Sequence, residues 1–573
     1  MLNFILGRNN SGKTEKIRTL IAERASENKK CILIVPEQFS FESERSILEK
    51  IGAQKMLNVD ILSFTRLAFV INEQYGKALN KTIDDGTRKV MMSLSLEALS
   101  GKLEYFKKFS SKPALLSNLL TFVTELKQCA VSPDEIAEVS EKTENKSLGK
   151  KLSELALIAA TYDALSSRSF FDDENLLTVA ADMISETDFF DGKSVYFDAF
   201  CGFTKQERNC IKSILPKAEN VFISLCTDRD LSREGISVFE NVNSEFSYLK
   251  ECAAEQNVGV SSPEILNVKE DGRSPELAYL EKYLCGEESE SYKKDCENIV
   301  VCAAGNKTDE TDFVACEIKK LLRCNPTLRC RNIAVIERTA GTYDKELSES
   351  FKKYGVPMFE DKRRPIGIQP VMVFVKCLLA LCAEGFSTES FMRLLKTGLT
   401  ALSGDEISEL ENYAFLWNID GSKWRRDFTE NPDGLGFDVT EKSQEKLMRL
   451  NDIRKRSVLP VLAFKKDFEE ADGEKKSRLI YEFLIKNGVT ERLREKVEYL
   501  ISSGDTVLCE EQDTVWATLM DMLGKMALAI GEAVVTSKRY SELFNILLSA
   551  VTLGSLPQEL DSVTVGAADR IRV

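Results

Sequence analysis

The sequence predicts an α/β fold, with parallel sheets flanked by helices, in two units that are each interrupted by a large all-helical insertion. Three observations predict it. Short apolar runs alternate with helical stretches over residues 1–83 and again from 192. The alternation restarts after residue 298. Between these stretches, over 84–191 and 371–547, apolar residues recur at helical spacing without strand signals. A chain of 573 residues has room for about three or four domains.

Residues 2–6 (LNFIL) are the first apolar run and predict a buried strand. Gly7, Arg8, Asn9, Asn10, Ser11, Gly12, Lys13 and Thr14 follow and match G-x-x-x-x-G-K-[ST] at every fixed position. A helix comes next, with Ile17, Leu20 and Ile21 on one face and Glu15, Lys16, Arg18 and Glu23 elsewhere. Strand, glycine loop, helix is the context this motif needs. Gly7 and Gly12 let the loop wrap so that its N–H groups and the helix N-terminus face an anion. Lys13 is expected to reach the β- and γ-phosphates of ATP, and the Thr14 hydroxyl to hold Mg²⁺.

Residues 31–35 predict a second strand, stopped by Pro36, with a loop at 37–41 and a helix at 43–51. Residues 59–62 predict a third strand, and Ser63 is placed to cap the helix after it. Helical periodicity runs through 90–99, 115–126 and 152–165. Strands are expected at 194–197 and 221–225, with a helix at 203–215 between them. A polar, turn-rich stretch from 228 to about 298 closes this half, and its acidic run, 286–291, reads as a linker or surface loop. The second unit is expected to begin with a strand at 299–302, a helix at 310–322, a strand at 333–336 and a helix at 348–354. The final residues, 556–573, read as a strand with loops that stops in mid-pattern, so a longer natural chain is expected.

Composition narrows the chemistry. Hydrophobic residues make up 43% and charged residues 29%, ordinary values for a globular protein. Every apolar run is interrupted by charge, and the first runs straight into the phosphate loop, so neither a membrane span nor a signal peptide is expected and the cytoplasm is the expected compartment. The 15 Cys are scattered without a C-x-x-C and read as reduced, buried thiols; Cys31, Cys226, Cys302 and Cys377 sit in apolar segments. There is no His, which excludes His-ligated zinc, Ser-His-Asp triads and imidazole bases. The net charge of −14 leaves nucleic-acid binding dependent on a local basic groove.

Two α/β units, each with a helical insertion, is the layout of a superfamily-one helicase motor: two P-loop NTPase (RecA-like) domains. The first would comprise 1–83 plus 192–290, with its insertion at 84–191. The second would comprise 291–370 plus 548–573, with its insertion at 371–547. The stretches GRNNSGKT, VPEQFSFESER, LSFTRLA, VYFDAFCGFTKQE, LENYAF and LDSVTVGAADRIR resemble the AddB (RexB) family, the second partner in bacterial AddAB helicase–nucleases. The resemblance spans essentially the whole chain. It implies a heterodimer with an AddA-like motor and nuclease partner, contact with single- and double-stranded DNA, and scanning of the single strand for the Chi recombination signal. It also implies that full-length members are about twice as long, the second half carrying a nuclease and a 4Fe-4S cluster held by four Cys; no Cys here is assigned to that cluster, and no nuclease activity is expected of these residues.

The residues themselves speak to motor activity. An active motor of this class has an Asp-Glu pair after the fourth strand, the Asp for Mg²⁺ and the Glu to orient water. Here Asp198 is followed by Ala199. The γ-phosphate-sensing Gly-Asp-x-x-Gln element is also missing, since 221–228 reads VFISLCTD. Nucleotide binding without effective hydrolysis is therefore expected, with Asp228 or Glu207 as the carboxylates left to substitute.

Loops after the second and third strands lie on the sheet edge that carries the phosphate loop. There Gln38, Phe39, Ser40, Ser63, Phe64, Thr65 and Arg66 are candidates for single-stranded DNA, with Phe200 and Phe203 as further stacking groups. For Phe64 and Arg66 the residues alone leave core packing and DNA contact equally open; the resemblance favours DNA. Phe41 and Phe69 are expected in the core. The basic run Lys362, Arg363, Arg364 is either a solvated loop or a DNA-backbone contact. An autonomous translocase is opposed by Ala199, and a small-molecule P-loop kinase by the second α/β unit. A purely structural scaffold remains if DNA contact is lost as well.

Overall fold

A computed structural model of the chain describes residues 1–76, 83–106, 113–170, 172–227, 239–267, 274–283, 291–339, 341–359, 364–504, 506–553 and 561–567. Six strands build one parallel sheet: β1 (Leu2–Gly7), β2 (Cys31–Ile34), β3 (Val59–Leu62), β4 (Ser194–Phe197), β5 (Asn220–Cys226) and β6 (Glu264–Ile265). Their order is β3-β2-β4-β5-β1-β6. β2 and β4 are buried along their whole length, because helices cover both faces of the sheet. On one face α1 (Lys13–Ser26) and α2 (Ser40–Ile51) bring Ile17, Ile21 and Ile47 against Ile5, Leu33 and Tyr196. The other face is covered by the helices Phe64–Tyr75, Asp173–Glu186, Lys205–Ile214 and Glu240–Glu255. Parallel pairing brings every strand's carboxyl end to one edge: Gly7 pairs with Cys226, and Ile34 with both Phe197 and Leu62.

Two expectations shift here. The helix Asp173–Glu186 falls within the stretch read as insertion, but its Leu176, Ala180 and Ile184 pack in the core of the first sheet. The stretch read as polar and turn-rich, 228–298, contains the helices Glu240–Glu255 and Pro275–Tyr283 and the strand β6. Phe246, Leu249 and Ala253 recur at helical spacing within it and are buried, whereas the remaining polar residues set its average composition.

The second α/β unit is smaller. β11 (Val563–Ala567) lies between β7 (Ala334–Glu337) and β8 (Met358–Phe359), parallel to both, while β9 (Arg364–Pro365) and β10 (Thr552–Leu553) form an antiparallel pair. The helices Lys307–Cys324 and Asp344–Tyr354 close its core through Ile318, Leu347 and Phe351. The strand expected at 299–302 does not form. Val300 and Val301 are exposed, and none of the described strands pairs with this segment, so its backbone has no ladder to join.

Helical periodicity is borne out in both insertions. The second runs from the helix Pro370–Ala383 to the helix Ser537–Ala550. The two insertions pack on each other. A Cβ on Gly86 would lie 2.7 Å from Leu547 Cδ1, so glycine sets the approach of these helices. Lys525 Nζ lies 2.7 Å from Asp84 Oδ2, and Arg539 Nε 2.9 Å from Glu97 Oε2. Among the described residues no helix is long and apolar enough to cross a membrane.

Candidate functional site

β1 ends at Gly7 and α1 begins at Lys13, so the intervening loop sits at the carboxyl edge of the sheet. Asn10 and Gly12 both have left-handed backbone, φ 60° and 89°, and this curls the loop. A Cβ on Gly7 would lie 2.4 Å from Ser11 Oγ and 2.8 Å from the Leu266 carbonyl, so only glycine fits. Lys13 Nζ donates to the carbonyls of Gly7 at 2.7 Å and Arg8 at 2.8 Å, which puts the ammonium inside the curl. Ser11 is buried, and among the described residues its Oγ has no hydrogen-bond partner. A cradle that excludes a Cβ, an ammonium inside it and an orphaned hydroxyl beside it fit the phosphates of a nucleotide. The Arg8 guanidinium turns aside, over the Phe239 ring at 5.4 Å and 3.5 Å from Glu281.

Asp198, at the end of β4, is 4% exposed. Its N–H donates to the Ile34 carbonyl at 3.1 Å, and its Oδ1 accepts from the Ser224 hydroxyl on β5. Ala199 follows with φ 69°, an unusual conformation for a residue bearing a Cβ. Lys13, Thr14, Asp198 and Ala199 line one cleft of about 740 Å³, which Arg18, Gln38, Phe39 and Phe200 also line. Among the described residues its one lining carboxylate besides Asp198 is Glu15, 2.5 Å from Lys50 Nζ. Asp198 and the Thr14 hydroxyl are the groups that would hold Mg²⁺ brought with a nucleotide. Glu207 is not among the lining residues: it closes a capping box with Thr204 at the start of its helix, and burial pushes its carboxyl up. Asp228 lies outside the described residues.

Helix Glu240–Glu255 braces three walls of this cleft, which sequence reasoning missed. Phe239, just before it, carries the Arg8 contact. Asn243 Oδ1 accepts from Thr227 Oγ1 at 2.6 Å, and Thr227 N–H donates to the Gly7 carbonyl at 3.3 Å. The buried Glu245 carboxylate accepts from Arg208 Nη2 at 2.6 Å and from the Phe203 N–H at 3.4 Å, fixing the loop that carries Phe200.

The single-strand candidates divide. Gln38, Thr65 and Arg66 are exposed, Phe39 and Phe200 half-buried, and Arg66 lies 3.3 Å from Glu44. Ser63 is buried and caps its helix by accepting from the Arg66 N–H at 3.2 Å; Ser40 is buried at the start of α2. Phe64 is 6% exposed and Phe203 7%. Phe64 lies 5.8, 5.5 and 6.1 Å from the rings of Phe197, Phe200 and Phe203, so core packing, not base stacking, is the geometry these two rings have. Conversely Phe41 is 78% and Phe69 46% exposed, against the core expectation. Ser40 and Ile47 form the buried side of α2, which turns Phe41 outward; Leu67, Ala68, Ile71 and Asn72 do the same to Phe69. Lys362 and Arg363 lie outside the described residues, as does the Arg364 side chain.

The described cysteines form no disulfide. Cys31, Cys210, Cys252, Cys330, Cys377 and Cys382 are buried as expected, and burial pushes the Cys31 thiol up to about 11; Cys226 is half-buried, and Cys129, Cys201, Cys296, Cys302, Cys316 and Cys324 are exposed, against the expectation of buried thiols. Among the described residues no group of three or more Cys, Asp or Glu could hold a metal ion.

Fold and site define the class: an α/β protein with a parallel sheet and a phosphate-loop sequence at its carboxyl edge. Residues 4–281 match the family described as ADDB, N-terminal. Across its whole length the chain is 29% identical to the B subunit of the ATP-dependent helicase/deoxyribonuclease of Acetivibrio thermocellus and to that of Clostridium acetobutylicum, covering 51% and 50% of those proteins. It is 28% identical to the corresponding protein of Clostridium botulinum, covering 50% of it. The chain is thus similar to the AddB family, by the family match over residues 4–281 and by its likeness to curated B subunits along its whole length. It spans about half the length of the curated relatives it matches.

Proposed function

We propose that the chain is the helicase-like part of one partner in a heterodimeric ATP-dependent helicase–nuclease that processes DNA double-strand breaks for recombinational repair. In this reading its two α/β units are RecA-like domains of the superfamily-one type. The first binds ATP with Mg²⁺ but does not drive translocation, which falls to an AddA-like partner. The names of the relatives support the helicase–nuclease assignment.

One observation carries the non-motor part. A methyl group, Ala199, lines the cleft where an active motor presents the carboxylate that orients water, and the other lining carboxylate, Glu15, is paired with Lys50. DNA contact is supported by the exposed Gln38, Thr65 and Arg66 on the same sheet edge, joined by Phe39 at the cleft wall. Scanning for a Chi sequence would run along this edge.

ATP turnover by the purified chain, with and without single-stranded DNA and beside a direct nucleotide-binding measurement, tests the reading. Binding that Lys13→Ala abolishes, without DNA-stimulated turnover, is the expected result. Robust DNA-stimulated turnover would instead make the chain an active translocase. Absence of both nucleotide and strand binding would reduce it to a scaffold for its partner.

A further inference from the structure

One cation in the cleft has no part in the reading above. Arg18 stands one helical turn after Thr14 on α1, so the two side chains share a face. Helical side chains lean back toward the N-terminus. This carries the Arg18 guanidinium toward the phosphate-loop end of α1, and it lines the same cleft as Lys13, Thr14 and Asp198. The other long cations of α1 that lie off the cleft are compensated: Lys16 pairs with Glu264 at 2.8 Å and Arg24 with Glu219 at 2.5 Å. Arg18 has no such pair among the described residues, and its Nε is buried without an acceptor. A buried donor left unmade is costly, and an anion in the cleft supplies the acceptor.

The placement separates Arg18 from Lys13. Lys13 sits in the curl of the loop, on the carbonyls of Gly7 and Arg8. Arg18, five residues further along α1, lines the cleft together with Gln38, Phe39 and Asp198. We propose that Arg18 binds the terminal phosphate of a nucleoside triphosphate and makes the cleft selective for triphosphate over diphosphate. The guanidinium fork suits a terminal phosphate, which offers oxygens for paired, charge-assisted hydrogen bonds. This rests on the phosphate-loop reading of the same cleft.

Dissociation constants for ADP and for a slowly hydrolysed ATP analogue, both with Mg²⁺, test it on the purified chain and on Arg18→Met, Arg18→Lys and Lys13→Ala. Arg18→Met is expected to weaken the triphosphate by about tenfold or more and leave ADP within about twofold; Arg18→Lys is expected to keep part of the preference. Lys13→Ala is expected to weaken both nucleotides. Equal loss of ATP analogue and ADP in Arg18→Met, or no loss of either, overturns the proposal while leaving the phosphate loop in place. Failure of the unaltered chain to bind either nucleotide overturns both. Because the readout is a ratio of two ligands on one folded variant, a general loss of stability does not imitate it.

Discussion

Replacing Phe64 by Ala removes a ring from the middle of the first α/β core. Phe64 is 6% exposed, with three phenylalanine rings within 6.1 Å of its own. A buried Phe→Ala change costs about 3–5 kcal/mol through lost burial and the cavity left behind. Against a typical domain stability of about 5–15 kcal/mol that is a large fraction. All three Trp residues, Trp417, Trp424 and Trp516, lie in the second helical insertion, so tryptophan fluorescence follows that part of the chain and not the first sheet. Amide hydrogen exchange in β2 and β4 follows the first sheet. With a urea slope of about 2 kcal/mol per molar, the loss moves the midpoint for these amides down by roughly 2 M. The fluorescence transition is expected to stay near its unaltered position. Unchanged protection of β2 and β4, together with single-strand affinity reduced in a salt-dependent way, would refute the packing argument and return Phe64 to the DNA surface.

Two further outcomes follow from local geometry. Ala199→Gly is expected to stabilise the first unit by about 1 kcal/mol, since Gly adopts φ 69° without the Cβ penalty; denaturant unfolding followed in β4 checks it, and a loss of stability would mean the Ala199 methyl packs more than it strains. At Asp84, burial acts to raise the carboxyl, but hydrogen bonds from Lys525 and Thr87 outweigh it and hold the group below its ordinary range. A depressed folded value means the unfolded chain binds the proton first as pH falls. The pair's stabilisation is therefore present above pH of about 4 and is lost as pH drops through the folded value. Asp84→Asn is expected to lower stability at neutral pH and flatten the acid limb of the stability profile; an unaltered acid limb would place the acid sensitivity elsewhere.

What the sequence made legible is what short-range patterning controls. The phosphate loop was readable because strand, glycine and helix lie within 26 residues, and the parallel sheet because its strands are continuous apolar runs. Phe64, left open by the residues, and Phe41, expected in the core, have placements that are not legible in the sequence for a shared reason. Each stands at the start of a helix beside a polar loop, and whether such a ring points in or out depends on which face of the helix meets the sheet. Ser40 is the buried partner in one case and Phe64 itself in the other, and local composition does not separate them. Residues 299–302 failed in the opposite sense: NIVVC has strong strand propensity, yet none of the described strands pairs with it, and Val300 and Val301 stay exposed. Arg18 was visible only as a polar position on an amphipathic helix. Its place in the cleft comes from the loop at Gln38–Phe39, which is distant in sequence pattern but adjacent in space.

The brace beneath the cleft bears on why a site without an obvious catalytic carboxylate keeps its shape. Glu245 is buried and ionically paired with Arg208, an arrangement whose desolvation offsets much of its attraction. Such a pair adds little net stability compared with apolar side chains of similar size, so its consequence is chiefly geometric. It holds the Phe203 N–H, hence the loop carrying Phe200, against the cleft, while Asn243 on the same helix holds Thr227 beside Gly7. Phe200 in turn packs on Phe64, the first residue of the helix that presents Thr65 and Arg66. A continuous run of contacts, through two rings and one buried carboxylate, thereby joins the cleft to the exposed Arg66 edge. On the proposed reading, such a run of contacts serves a binding cleft, whereas hydrolysis calls for one group more, at the position Ala199 occupies.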